Sequence, residues 1–198
     1  MTLADSQLIE RPKVVPETHD DGNGPLFEIV NGKKVEKHMS MAAQQTGNEI
    51  SFHLQLHLRE SESGGIVGTE HFVACFDWMP KTKRRPDVAY WRREQYPDGI
   101  PRRGDAALPP AMVVEVVSPN DAADDLAAKV AEYFRAGVEL VWVVHPLIPL
   151  IRAEQPDGHA HTYRGGDTIT AAPVLPGFSA KVADLIPEMT EETGEDAA

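Results

Sequence analysis

One carboxylate stands inside an apolar segment of this sequence. Glu115 is the only charged residue in residues 112–117, which otherwise have the composition of a strand buried on both faces. A charged side chain is costly in such a strand unless it is paired or bound to a cation. Glu115 is therefore the first candidate for a residue that carries chemistry.

Two further residues complete a candidate reactive site. Asp87 follows Pro86 and opens a predicted strand. Two carboxylates on adjacent strands can share one divalent cation, because hard cations prefer oxygen ligands, and such an ion polarises a phosphoryl oxygen. Lys129 flanks the apolar stripe of a predicted helix, so its ammonium can reach the same place and neutralise charge in a transition state.

Each of these residues also has a purely structural interpretation. Asp87 could be a turn residue after a proline. Lys129 could pair with Asp125 on the helix surface, a contact worth about 0.3–0.5 kcal/mol. For Glu115 the structural alternative is a buried pair with an arginine or with Lys129. The functional interpretation is favoured for Glu115, and the structural one for either of the others taken alone.

The elements before the candidate site begin with a hairpin and a long helix. Residues 26–37 predict the hairpin, because the Asn-Gly dipeptide at residues 31–32 tolerates positive φ at both positions. The helix begins at its cap Ser40, carries Phe52 and Leu56 on a broad apolar face, and ends at a glycine pair. A strand over residues 66–78 is predicted to follow.

The candidate site itself lies on a predicted strand–helix–strand unit. A strand over residues 112–117 leads into a helix capped by Ser118, and Gly137 supplies the left-handed stop of that helix. A second apolar strand over residues 140–144 then completes a parallel crossover. Further strands are predicted within residues 148–170, so the fold class is α/β.

Composition bounds the domain organisation and the location. Hydrophobic residues make up 41% of the 198 residues, which is enough for one packed core. We predict a mobile N-terminal arm over residues 1–24, one domain over residues 25–186 and an acidic tail over residues 187–198.

The single cysteine, Cys75, excludes a disulfide framework. Without an apolar spanning run or a visible secretion signal, we expect a cytoplasmic protein with no membrane partner.

The charge distribution contains one basic stretch. The net charge is −12, which argues against a broad nucleic-acid-binding face, yet residues 81–103 hold eight Lys or Arg against three Asp or Glu. The ordinary interpretation of such a stretch is a solvated loop. Because this stretch brackets Asp87, we predict instead that four of its arginines contact backbone phosphates. These are Arg84, Arg85, Arg92 and Arg93.

Four segments in order resemble one known family. They are PDVAYW (86–91), VVEVVSPN (113–120), DLAAKVAEYFRAGVELVWVVHP (125–146) and LPGFSAKVADLI (175–186). Together they resemble the Uma-two family of bacterial proteins, which is classed with endonucleases of the PD-(D/E)XK superfamily. The resemblance covers most of residues 26–186 and implies a restriction-endonuclease-like core, with a mixed central β-sheet flanked by helices.

The resemblance also implies roles for individual residues. Asp87 and Glu115 correspond to ligands of Mg²⁺, with Mn²⁺ as an alternative, and Lys129 to the catalytic lysine. In the superfamily's usual motif the lysine lies two residues after the glutamate, where this chain has Val117, so the resemblance implies that the lysine has moved onto the following helix. Glu28, in a segment that resembles the family's N-terminal hairpin, becomes a further site carboxylate.

Two functions of different classes follow. The first is a metal-dependent endonuclease that hydrolyses nucleic acid, with DNA as the expected substrate and a homodimer as the expected assembly. The alternative is a catalytically inactive binding or structural module that keeps the nuclease fold. The net charge of −12 favours this alternative. So does the Gln44-Gln45 pair, which stands in the region where members of the family often carry a histidine. Convergence of Asp87, Glu115 and Lys129 in the folded protein would favour the nuclease.

Overall fold

The structure is a computed structural model that describes residues 24–190. The predicted arm, except Gly24, lies outside these residues, as does the acidic tail from residue 191 onward. The first elements along the chain are β1 (Phe27–Val30), β2 (Lys33–Glu36), α1 (Met41–Glu60), β3 (Ile66–Thr69), β4 (Val88–Trp91), a short 3₁₀ helix (Arg93–Gln95) and β5 (Met112–Val116). They are followed by α2 (Ala123–Ala136), β6 (Leu140–His145), β7 (Leu150–Glu154), β8 (Ala160–Arg164), β9 (Thr168–Thr170), β10 (Ser179–Lys181) and α3 (Val182–Leu185).

The centre of the fold is a six-stranded mixed sheet. Its strands lie in the order β3-β4-β5-β6-β7-β8, and β5 and β6 are the parallel pair among antiparallel neighbours. β1 pairs with β2 in a separate hairpin, and β9 pairs with β10. The predicted α/β class and mixed central sheet are thus confirmed. Among the described residues no helix is both long and apolar enough to cross a membrane.

Helices cover both faces of the sheet, as buried strands require. Val114 of β5 packs in the core shared with Ile50 of α1 and Leu185 of α3, whereas Val113 packs with Tyr133 of α2. Because side chains alternate along a strand, Glu115 lies on the same face as Val113. The candidate carboxylate therefore points toward α2, the helix that carries the candidate lysine.

The hydrophobic face of α1 is narrower than the sequence suggested. Ile50 and Leu54 are fully buried, but Phe52 is 57% exposed and Leu56 is 38% exposed. The prediction that Phe52 and Leu56 broaden the buried face is therefore wrong. Each lies two positions from a core residue, which on a helix of 3.6 residues per turn places it on the opposite side.

Both ends of α1 are fixed by serine side chains. The Ser40 hydroxyl accepts a hydrogen bond from the Ala43 amide at 3.1 Å, so the predicted cap is confirmed. At the other end the Ser61 amide and hydroxyl both donate to the His57 carbonyl. The helix ends there, before the glycine pair at residues 64–65 that was predicted to stop it.

The strand–helix–strand unit forms as predicted, apart from its cap. β5 and β6 pair in parallel on either side of α2, and Gly137 ends α2 with a φ of 103°. Ser118 does not cap this helix, because α2 begins later and its N-terminal flanking residue is Ala122. The Ser118 amide instead donates to the Asp121 carboxylate at 2.7 Å, which closes a turn before the helix.

The strand predicted over residues 66–78 is shorter than expected. β3 ends before Glu70, whose φ of 51° turns the backbone out of the sheet. The chain then forms isolated bridges, in which Val73 pairs with Arg84 and with Ala106. The Glu70 amide donates to the Asp87 carbonyl at 3.3 Å, so the turn places Glu70 beside the candidate residues.

A glycine at the start of β3 gives a test of this packing. Gly65 has a φ of +113°, and a Cβ atom added there would lie 2.7 Å from both the Trp91 carbonyl oxygen and the Tyr90 ring. We expect Gly65→Ala to lower the free energy of unfolding in urea by more than about 1 kcal/mol. Gly158→Ala is the matched control, since Gly158 has a φ of +87° with nothing within 4 Å. Equal losses in the two variants would contradict the proposed clash.

Candidate functional site

Asp87 and Glu115 meet on neighbouring strands. β4 and β5 are antiparallel with Val88 opposite Val114, so the next step of the register brings Asp87 beside Glu115. Both side chains are buried, and both line a cavity of about 430 Å³ together with Lys129 and Glu28. Like charges directly opposite each other destabilise a sheet, so this pair needs cationic partners.

The partners of Glu115 come from α2. The Lys129 ammonium donates to one Glu115 oxygen at 3.2 Å, and the Tyr133 hydroxyl donates to the other at 2.7 Å. Burial raises the pKa of Glu115 above its ordinary value, and the Lys129 charge opposes that rise without cancelling it. The buried pair with Lys129 that was the structural alternative for Glu115 is therefore present, inside the candidate site.

Lys129 connects Glu115 with a third carboxylate. Its ammonium also lies 3.2 Å from Glu28, which in turn accepts hydrogen bonds from the Arg84 side chain at 2.8 Å and the Arg85 amide at 2.9 Å. Burial acts to raise the pKa of Glu28, but the charges of Lys129 and Arg84 hold it below its ordinary value. The surface pair with Asp125, which was the structural alternative for Lys129, is not formed, because the lysine is turned toward the sheet and is only 16% exposed.

Asp87 is held by a lysine from the hairpin. One Asp87 oxygen accepts from Lys37 at 2.8 Å, and the other accepts from the Val116 amide at 2.6 Å. Lys37 also donates to Glu70 at 2.9 Å and to the Arg85 carbonyl at 2.8 Å. Burial acts to lower the pKa of Lys37, but the charges of Asp87, Glu115 and Glu70 raise it, so the ammonium stays charged. It supplies the positive charge on the Asp87 side of the cavity.

Sequence comparison identifies the family. Residues 13–183 match the Uma2 family, whose description is "Putative restriction endonuclease". The chain belongs to the Uma2 family. This is the family that the four segments resemble, and the match covers most of the chain.

A solved structure supports the fold of this Uma2 protein. It is the crystal structure of "a putative nuclease belonging to DUF820" from Anabaena variabilis, with a TM-score of 0.68 and 15% sequence identity. The likeness covers 87% of this chain and 93% of the other, which confirms the nuclease fold. No curated protein matches the sequence.

Three of the four arginines predicted to contact phosphate are paired within the protein. Arg84 joins Glu28 to Glu132 beside the cavity, Arg85 pairs with Glu70, and Arg92 pairs with Glu139 on the surface. The fourth, Arg93, is exposed on the 3₁₀ helix. Phosphate contact by these residues stays a prediction, and in this Uma2 protein Arg84 has the clear structural role of balancing Glu28.

Sequence reasoning missed Lys37 and Glu70. Glu70 lies in the strand predicted over residues 66–78, but its neighbours are Thr69 and His71, so the signal is weaker than the one that identified Glu115. Lys37 is the last residue of a predicted hairpin strand and carries no such signal. Its role depends on how the hairpin packs against the sheet, which no local pattern shows.

The donor set of this Uma2 protein fits a small divalent ion held by few protein ligands. Among residues 24–190 no group of three or more His, Cys, Asp or Glu side chains surrounds a common metal position. Mg²⁺ usually binds through one or two carboxylates and keeps several waters. Asp87 and Glu115 are hard oxygen donors side by side in an open cavity, so they could hold such an ion.

The pKa of Glu70 gives a test of the charge arrangement. Burial raises it to about 8, and Asp87 adds to the rise while Lys37 opposes it. The folded state therefore binds an extra proton between pH 4.5, the ordinary value, and about 8, so this group's contribution to stability falls as pH rises through that window. We expect the free energy of unfolding of wild type to fall across this window with a slope of at most about 1.4 kcal/mol per pH unit, and Glu70→Gln to lack that slope. The measurement is urea unfolding at a series of pH values in buffer that contains a chelator. Parallel pH profiles of variant and wild type would contradict this.

Proposed function

We propose that this Uma2 protein is a divalent-metal-dependent endonuclease that hydrolyses phosphodiester bonds in nucleic acid, with Mg²⁺ as its metal and Mn²⁺ as a substitute. The observation that carries the proposal is the convergence of Asp87, Glu115 and Lys129 on one open cavity. These are the three residues that the family resemblance assigns to the reaction. They come from β5, the segment before β4, and α2, yet they meet at one end of the sheet.

Each side chain then has a distinct task. Asp87 and Glu115 would hold the metal ion, which polarises a phosphoryl oxygen and lowers the pKa of water. Lys129 donates toward the phosphate and neutralises charge that develops in the transition state. Tyr133 and the Val116 amide fix the orientation of the two carboxylates through their hydrogen bonds. This is the second layer of contacts that metal-binding carboxylates ordinarily need.

One observation favours the alternative of an inactive nuclease-fold module. All oxygens of Asp87 and Glu115 already accept hydrogen bonds, from Lys37, Val116, Lys129 and Tyr133. A carboxylate oxygen has two lone pairs, so these bonds do not exhaust its capacity. Metal binding and cleavage measurements separate the two functions.

Metal binding is the first test. We expect wild-type protein to bind Mg²⁺ or Mn²⁺ in a calorimetric titration, and Glu115→Gln to bind at least about tenfold more weakly, because the variant loses one anionic ligand. Glu139→Gln is the matched control, since Glu139 is a surface glutamate paired with Arg92 outside the cavity. Absence of binding by the wild type, or equal binding by Glu115→Gln, would contradict the proposed ligands.

Lys129→Met tests the lysine and corrects a sequence-based expectation. A surface pair with Asp125 would leave stability nearly unchanged, but the buried contacts with Glu28 and Glu115 imply a loss of about 3–5 kcal/mol when the charge is removed. At matched folded fraction we expect metal-dependent cleavage of DNA to fall about 10²–10³-fold. Exposed Lys181→Met is the control. Undiminished cleavage by the folded variant would remove Lys129 from the reaction.

DNA as the substrate, a homodimeric assembly and a cytoplasmic location complete the proposal. The family description supports DNA as the substrate, and a chain with a single cysteine fits a reducing compartment. A dimer is needed only if both strands of a duplex are cut, because each chain holds one site. Light scattering at micromolar protein concentration measures the assembly directly.

A further inference from the structure

A second cavity opens on the other side of Asp87. Its volume is about 230 Å³, and Asp87 lines both this space and the larger cavity that holds Glu115 and Lys129. A cavity of about 150 Å³ in another protein accommodates benzene, so this one has room for a heteroaromatic ring. A group bound here would lie next to Asp87, one of the two carboxylates that the proposed function assigns to the metal.

The walls of the second cavity combine amide and apolar groups with the carboxyl groups of Glu70 and Asp87. Gln44 and Asn48 line it from α1, and residues four apart on a helix face the same way. Leu26 and Met39 contribute an apolar side. A carboxamide offers both a donor and an acceptor. Both amide side chains are exposed, and the Asn48 carboxamide donates one N–H to Gln45 at 3.3 Å, which leaves its carbonyl oxygen and second N–H for a ligand.

A glycine in α1 keeps this cavity open. Gly47 is buried within the helix and lines the cavity, and a Cβ atom added there would lie 3.9 Å from the Asp87 Cβ, an ordinary contact. Packing therefore does not require glycine at this position. Glycine in a helix interior lowers stability relative to alanine. Because an alanine side chain would fit here, the space around residue 47 does not explain why glycine is present. Its effect is to leave space between α1 and Asp87.

We propose that the second cavity binds an unpaired nucleobase adjoining the phosphate that is cleaved, with Gln44 and Asn48 reading the base edge. This inference rests on the proposed nuclease function and adds a substrate class, single-stranded nucleic acid. A base stacked in a duplex cannot enter a side cavity, whereas an unstacked base exposes its edges to side chains. Asn and Gln side chains match the donor and acceptor of adenine, so adenine is the preferred base.

The test is equilibrium binding of labelled oligonucleotides in buffer that contains a chelator, so that no cleavage occurs. The ligands are single-stranded oligo-dA, oligo-dT, oligo-dC and oligo-dG, and a duplex. We expect wild type to bind oligo-dA about tenfold or more tightly than the other strands and the duplex. Gln44→Ala and Asn48→Ala should lose that preference. Gly47→Ala should bind more weakly while its thermal stability is unchanged or higher. Gln55→Ala, an exposed glutamine further along α1 and outside the cavity, should match wild type.

The outcomes separate the base site from the nuclease. Wild-type binding without a preference for single-stranded oligo-dA, or with the same preference in the Gln44, Asn48 and Gly47 variants, would overturn the base site whether or not the protein cleaves. A preference that the three variants lose supports it. If that result came from protein that cleaves no oligonucleotide with Mg²⁺ or Mn²⁺, the base site would stand and the nuclease proposal would fall.

Discussion

The burial of Glu28, Asp87 and Glu115 at one end of the sheet is the constraint on which the rest of the structure depends. Carboxylates in a poorly solvated place remain ionised only when positive charges lie beside them. This protein supplies three, Lys37, Lys129 and Arg84. Each of these cations comes from a different part of the chain, so the hairpin, α2 and the segment before β4 must all dock for the acids to be balanced.

Stability alone does not account for such a cluster. Buried ion pairs contribute little on balance, because the cost of removing the charges from water offsets their attraction, and apolar replacements of similar volume are often at least as stable. A strand such as β5, apolar except for Glu115, could have been completed with valine. The retention of charge here fits the proposed chemistry, and Lys37, Lys129 and Arg84 make the buried carboxylates compatible with folding.

Sequence-based prediction succeeded where a residue's placement depends on the pattern of its own strand or helix. A lone glutamate in an apolar strand and a lysine beside a helical stripe were expected to meet, and the structure brings Glu115 and Lys129 together, while their roles stay predictions. The predictions that failed concern tertiary context. Phe52 and Leu56 are apolar but lie on the exposed side of α1. Ser118 belongs to a turn because α2 starts later than predicted. Lys37 contacts Asp87, which lies 50 residues later in the chain. This contact forms only when the hairpin packs against the sheet.

The hairpin of β1 and β2 is outside the six-stranded sheet, yet it brings both Glu28 and Lys37 to the cavity. It is the first described element of the chain, whereas Lys129 lies well past the middle. During synthesis the hairpin therefore leaves the ribosome long before Lys129, the ionic partner of Glu28 on α2. A nascent chain does not hold the complete charge cluster until α2 has emerged and packed on β5 and β6. The order of the elements thus delays the balancing of these buried carboxylates until most of the domain has been made.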